Sequence, residues 1–146
     1  MTKEKLFAFF EEPIGFDTLV GNSPGVQVLQ RPNSIQVGEI AILKVPILPF
    51  IKWKWVSEHV EYKKNEYFVD TQTSGPFRKF SHKHKVEASS KEGFCILTDE
   101  IEIDFFLFPI SKWFILPMMK KMFLDRHKVT AKALSCDFKN LFCGYS

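Results

Sequence analysis

A chain of 146 residues and 17.0 kDa has the length of one domain, since single domains mostly run to about 100–150 residues. With 45% hydrophobic and 25% charged residues, seven Gly and eight Pro, it is neither disordered nor collagen-like nor a small cross-linked scaffold. Twenty Lys and Arg against seventeen Asp and Glu leave a formal charge of +3, far from the dense basic footprint of a nucleic-acid binder, so no nucleic-acid partner is expected.

Residues 3–12 predict a short helix with Leu6, Phe7, Phe9 and Phe10 as its apolar positions. Pro13 ends it, because the residue before a proline is pushed out of helical geometry. A second short helical turn follows. Asn22-Ser23-Pro24-Gly25 is a turn cluster, after which the apolar period changes to two. Strands are predicted over 25–30, 39–47, 51–62, 66–74, 77–88 and 93–106, joined by short turns, so consecutive antiparallel hairpins are the economical topology. From about Ser111 the period is helical again. Trp113, Leu116, Met119 and Phe123, continued through Val129 and Ala133, predict a long final helix with Pro117 in or near its first turn. The tail, 135–146, shows no clear period. Residues 1–146 thus read as one α+β domain, a curved antiparallel sheet of about six strands covered on its apolar face by a long C-terminal helix.

Sixteen Phe, three Trp and three Tyr exceed what packing a domain of this size requires, which implies an oversized core or a cavity lined by rings. The N-terminus has only a short apolar patch, Leu6 to Phe10, before Glu11 and Glu12, and lacks the features of a secretory signal; a cytoplasmic location is expected. Cys95, Cys136 and Cys143 are odd in number, without CxxC spacing or a nearby His, so reduced thiols are expected, with no metal and no cofactor. The most apolar stretch, 105–119, is interrupted by Pro109, Lys112 and Pro117, whereas a spanning helix needs about 20 apolar residues. Lys120, Lys121, Arg126 and Lys128 follow it, which suits peripheral contact with an anionic membrane surface. The plainer reading is helix packing with a solvated basic face.

In the strand predicted over 77–88, Arg78, Phe80, His82, His84 and Val86 share one face, while Lys79, Ser81, Lys83, Lys85 and Glu87 share a solvent face. Two histidines and an arginine therefore turn to the covered side, where a polar group needs partners. A three-residue loop at Gly75-Pro76-Phe77 sets Ser74 opposite Arg78, Gln72 opposite Phe80, Asp70 opposite His82 and Phe68 opposite His84. A four-residue loop at Ser89-Ser90-Lys91-Glu92 sets Val86 opposite Cys95, His84 opposite Leu97 and His82 opposite Asp99. Both registers place His82 between Asp70 and Asp99, in a wall of Phe68, Phe80, Leu97, Ile101 and Ile103.

A histidine so placed is a satisfied structural network, a hydrogen-bond anchor for a ligand, or a general base. Buried ion-pair networks perturb proton affinities without doing chemistry, so the structural reading leads. Catalysis ranks last, since no nucleophile with a paired base, no metal set and no glycine-rich phosphate loop accompanies the histidines. Trp53 and Trp55 alternate with Lys52 and Lys54, placing both indoles on one face with Ile51, Ser57 and His59; core packing leads over pocket lining. Glu11-Glu12 and Lys120-Lys121 read as solvated surface.

The run Phe68-Val69-Asp70-Thr71-Gln72-Thr73-Ser74-Gly75-Pro76-Phe77-Arg78-Lys79-Phe80-Ser81-His82-Lys83-His84 resembles F-x-D-x-Q-x-x-G-P-[FY]-x-x-[WF]-x-H-x-H in a bacterial branch of the START-like superfamily. These are helix-grip ligand-binding proteins related to polyketide cyclases and coenzyme-Q-binding proteins. Leu97-Thr98-Asp99-Glu100-Ile101 is similar to that branch's L-T-D-E-[VI] strand, and Phe123-Leu124-Asp125-Arg126-His127 to the F-x-x-R of its final helix. The resemblance runs from about Leu6 to Leu134. It implies a sheet gripping a long C-terminal helix around an apolar cavity that binds a hydrophobic small molecule or lipid. Asp70, Gln72, Arg78, His82, His84 and Asp99 match the motif positions; Trp53, Trp55, Phe68, Phe80, Ile101 and Trp113 are the expected ring and apolar lining. The rivals are an enzyme of the cyclase, dehydratase or isomerase kind, using His82 with Asp70 or Asp99, and a membrane-surface lipid-handling protein. Relatives usually carry one more strand before the first helix, so here the sheet is expected to lack it and to expose an edge that invites homodimerisation. Phe80 stands where relatives often have Trp.

Overall fold

The structure is a computed structural model describing residues 1–48, 50–104 and 112–145. The end of the strand expected over 93–106, the expected helix start at about residue 111 and the part of the apolar stretch 105–119 before Lys112 lie outside the described residues. Helix α1 (Lys3–Glu11) is capped by Thr2, whose hydroxyl accepts from the Lys5 amide at 3.3 Å. Glu12 is extended, and Pro13 opens α2 (Pro13–Gly21) at a position where its missing amide costs nothing. The second helical turn is thus a full helix in its own right. Six strands follow, β1 (Gln27–Gln30), β2 (Ile40–Leu48), β3 (Ile51–Lys63), β4 (Tyr67–Ser74), β5 (Lys79–Ala88) and β6 (Cys95–Asp104), and then α3 (Lys112–Ala133). The strands form one antiparallel sheet in sequential order, as the short turns imply, and the chain is the expected α+β fold with the sheet wrapped around a C-terminal helix.

The covered face of the sheet carries two apolar clusters. At one end, Leu6, Phe7, Phe9 and Phe10 of α1 and Leu19 of α2 pack on Phe68 and Val86. At the other, Met119 and Phe123 of α3 pack on Phe80, with Trp55, Phe77, Ile101 and Ile115 around them. Much of the ring excess is therefore spent on core packing. β5 alternates as its sequence requires: Phe80, His82, His84 and Val86 are buried, and the residues between them are not.

Two registers decide what the histidines meet. Phe68 pairs with His84 and Asp70 with His82, as expected. On the other side the pairing is shifted by two: His84 lies opposite Asp99, His82 opposite Ile101 and Val86 opposite Leu97. The physical reason is Gly93, whose φ of 79° takes it out of extended geometry and lengthens the loop to residues 89–94. A shift of two keeps every side chain on its face, so Asp99 still turns inward. Among the described residues no strand pairs with the outer edge of β6, which leaves the exposed edge that was expected.

Candidate functional site

Between the two apolar clusters runs a buried polar seam. His82 Nε2 lies 2.9 Å and His84 Nδ1 3.1 Å from Asp99 Oδ1. On their opposite edges, His84 Nε2 lies 3.0 Å and His82 Nδ1 3.6 Å from Asp70 Oδ1. The outer oxygens of the two carboxylates are also held. Ser57 donates to Asp70 Oδ2 at 2.9 Å, and His127 Nε2 of α3 lies 2.7 Å from Asp99 Oδ2. His82 and the Asp99 side chain are 3% and 6% exposed, and Asp70 is 18% exposed. Rings close the seam on both sides: Phe68 stacks on His84 at 4.2 Å, and Phe123 meets His82 edge-on at 4.9 Å.

Burial would raise both carboxyl groups, but the imidazoles beside them outweigh it and hold Asp70 and Asp99 well below the usual carboxylate range. The two histidines diverge. Burial, helped by the neighbouring His84, lowers His82; burial alone would lower His84 as well, but hydrogen bonds to Asp70 and Asp99 reverse the sign and raise it. His84, held within 3.1 Å of a carboxylate at each nitrogen, is best satisfied with a proton on both, whereas the second carboxylate of His82 stands farther off at 3.6 Å. His59, opposite Asp70 in β3, is lowered mainly by burial, and its Nδ1 is buried without a hydrogen-bond partner. Chemically, the seam can hold a proton between carboxylates, and Asp70, His82 and His84 each present a donor atom of the kind that ligates metals.

The seam brings together Phe68, Asp70, Phe80, His82, His84 and Asp99, with Ile101 beside them. Four expected site residues lie elsewhere. Gln72 serves the turn: its side-chain amide donates to the Phe77 carbonyl at 2.8 Å and accepts from the Phe77 amide at 3.4 Å. A Cβ on Gly75 would stand 2.3 Å from Gln72 Oε1, so the turn that Gln72 ties together needs a glycine at this position. Arg78 precedes β5, is exposed, and binds the Asp104 carbonyl through its backbone amide at 3.1 Å; it belongs to the turn, where strand alternation does not hold, and not to the inward face on which it was expected. Trp53 is 51% exposed because it lies on the part of β3 that runs beyond the cluster, while Trp55 meets Phe80 at 4.8 Å. Trp113 is 74% exposed at the start of α3. Pro117, just past the first turn of α3, denies the Trp113 carbonyl its helical donor.

Ser57 and His127 were not singled out from sequence. Helical spacing carried a signal for the second, since His127 lies four residues after Phe123 on the face that Met119 begins.

Beside the seam an open groove of about 1440 Å³ runs between β6, α3 and the tail 136–145. Ile101, Met119 and Phe123 form apolar wall, and Asp99 and His127 are the members of the seam that reach it; Asp70, His82 and His84 stand behind them. Among the described residues no helix is long and apolar enough to cross a membrane.

These features define a class, an α+β protein whose six-stranded antiparallel sheet holds a C-terminal helix over a buried His–Asp seam. The fold is similar to that of TTHA0849 from Thermus thermophilus, whose crystal structure matches with a TM-score of 0.58 over 90% of this chain and 86% of that one, at 13% identity. At that identity the likeness bears on the fold alone. No protein-family model and no curated protein matches the sequence.

Proposed function

We propose that the protein is a START-like, helix-grip binding module that takes a hydrophobic small molecule or lipid into the groove between β6 and α3. One observation carries this reading: the open groove brings the apolar side chains of Ile101, Met119 and Phe123 together with the hydrogen-bonding groups of Asp99 and His127. The rival in which His82 shuttles protons to a substrate is disfavoured by position, because His82 is 3% exposed and stands behind Asp99. Free thiols at Cys95, Cys136 and Cys143 fit a reducing, cytoplasmic setting. Native mass spectrometry of the full chain, followed by organic extraction, is expected to reveal a stoichiometric apolar adduct. An adduct-free protein that also fails to bind a fluorescent fatty acid saturably would overturn the reading. The same spectrum reports whether the chain forms a homodimer, which we infer would pair through the open β6 edge.

A second reading, delivery at a membrane surface, rests on exposed rings. Phe50, Ile51 and Trp53 at the β2–β3 tip and Trp113, Phe114 and Met118 on α3 are all exposed. Trp55 and Ile115 pack in one cluster, which puts these two groups at the same end of the domain. Lys52, Lys54, Lys120 and Lys121 flank them, the combination of apolar and basic side chains that anionic interfaces select. Co-sedimentation with phosphatidylserine-containing vesicles is expected at low salt and to weaken at high salt; no binding at low salt removes this reading.

A further inference from the structure

The seam is built asymmetrically. Asp99 Oδ1 faces one nitrogen of each imidazole, His82 Nε2 at 2.9 Å and His84 Nδ1 at 3.1 Å. Accepting an N–H from both rings fixes their orientation and leaves His82 Nδ1 and His84 Nε2 converging on a single atom, Asp70 Oδ1, at 3.6 and 3.0 Å. Asp70 Oδ2 is tied to Ser57 and Asp99 Oδ2 to His127, so both carboxylates are anchored by their outer oxygens. A carboxylate behind each ligating histidine is the arrangement that orients imidazoles in metal sites. Asp70, His82 and His84 offer one donor atom each, all within 4.8 Å of one another. Ligands about 2.0–2.2 Å from a tetrahedral ion stand roughly 3.3–3.6 Å apart, near the 3.6 and 3.0 Å that separate the two imidazole nitrogens from Asp70 Oδ1.

We propose that Asp70, His82 and His84 form a binding site for a divalent transition-metal ion of the zinc class, with Asp99 as the carboxylate that positions both imidazoles. Two imidazoles and one carboxylate suit zinc and its first-row neighbours better than calcium or magnesium, which take oxygen shells. A dication there takes the place of the protons that otherwise lie between the imidazoles and Asp70. Solvent reaches the site at Asp70, 18% exposed. Ser57 and Asp99 are positioning residues. This site is separate from the groove reading and does not depend on it.

The test titrates Zn²⁺ into chelator-treated full-length protein against a chromophoric competitor, with Co²⁺ as a spectroscopic stand-in. Saturable one-to-one binding is expected, together with visible Co²⁺ bands that lack thiolate charge transfer. His82→Gln and His84→Gln are expected to abolish competition-resistant binding, and Asp99→Asn to weaken it by about 10–100-fold while retaining the bands. Because a histidine variant can fail to fold, zinc-edge X-ray absorption on the unaltered protein decides independently: the expected shell is N/O only, with outer scattering from two imidazoles. Absence of saturable binding, sulfur in the shell, or unchanged affinity in folded histidine variants each overturns the proposal and leaves the groove reading standing.

Discussion

Replacing Asp99 by alanine is expected to cost the fold about 3–5 kcal/mol, the usual consequence of removing one partner from a buried ionic network. Asp99 is the hub: its two oxygens serve His82, His84 and His127, and its side chain is 6% exposed. The loss is specific in pH as well as size. Asp70 and Asp99 are held below their unfolded value of about 3.9, so their contribution is complete above that pH and is lost as pH falls through the depressed folded values. His84 works the other way. Its folded value is raised, so its contribution is present below about 6.5 and lost as pH rises through the folded value. His82, lowered, favours the neutral ring and costs stability as pH falls below about 6.5. The two histidines oppose each other near neutrality, and the carboxylates set the acid limb. Urea melts from pH 3 to 8 are expected to show a steep loss below about pH 4, which Asp99→Ala flattens while lowering stability at pH 7. A variant within 1 kcal/mol of the parent at pH 7 would show that the seam contributes no net stability.

The seam could be read from the chain because period-two alternation is unambiguous in β5, where Lys79, Ser81, Lys83, Lys85 and Glu87 mark the solvent face in alternation with Phe80, His82, His84 and Val86. The tight turn at Gly75 then fixed the pairing with Asp70. The β5–β6 register was less accessible, since it depends on whether Gly93 ends the loop or begins the strand, a matter of one backbone dihedral. The shift of two moved Asp99 from His82 to His84 in the ladder without turning it outward, so its carboxylate still reaches both rings. Trp53 and Trp113 failed for a different reason. Periodicity assigns a residue to a face, not to a position along that face, and both lie where their elements run past the covering cluster. Gln72 illustrates a third limit: alternation sets it on the same face as Asp70, yet its amide is consumed by the turn that follows. Ser57 joins the seam from β3, the strand beside β4, but His127 comes from α3, and only tertiary packing shows which face of α3 meets β6.

Phe7→Ala and Phe123→Ala are expected to separate what the two apolar clusters are for. Phe7 is fully buried between Tyr62 and Phe68, with ring centroids 5.9 and 6.2 Å away, and nothing of it reaches the groove. Its loss leaves an apolar void that α1 and the sheet cannot close, at a cost of about 3–5 kcal/mol, with ligand binding by the folded fraction unchanged. Phe123 is nearly as buried, but one face lines the groove and its edge meets His82. The space vacated by Phe123→Ala opens onto that groove, so solvent or ligand can enter it and the penalty on folding is smaller. A buried phenylalanine contributes about 1.5–3 kcal/mol of apolar contact, so affinity for a fluorescent fatty acid is expected to fall about tenfold or more. Thermal melts and probe titrations on both variants read the two effects separately. Equal stability losses with no change in affinity would make the Phe123 cluster a second core and remove the groove from function.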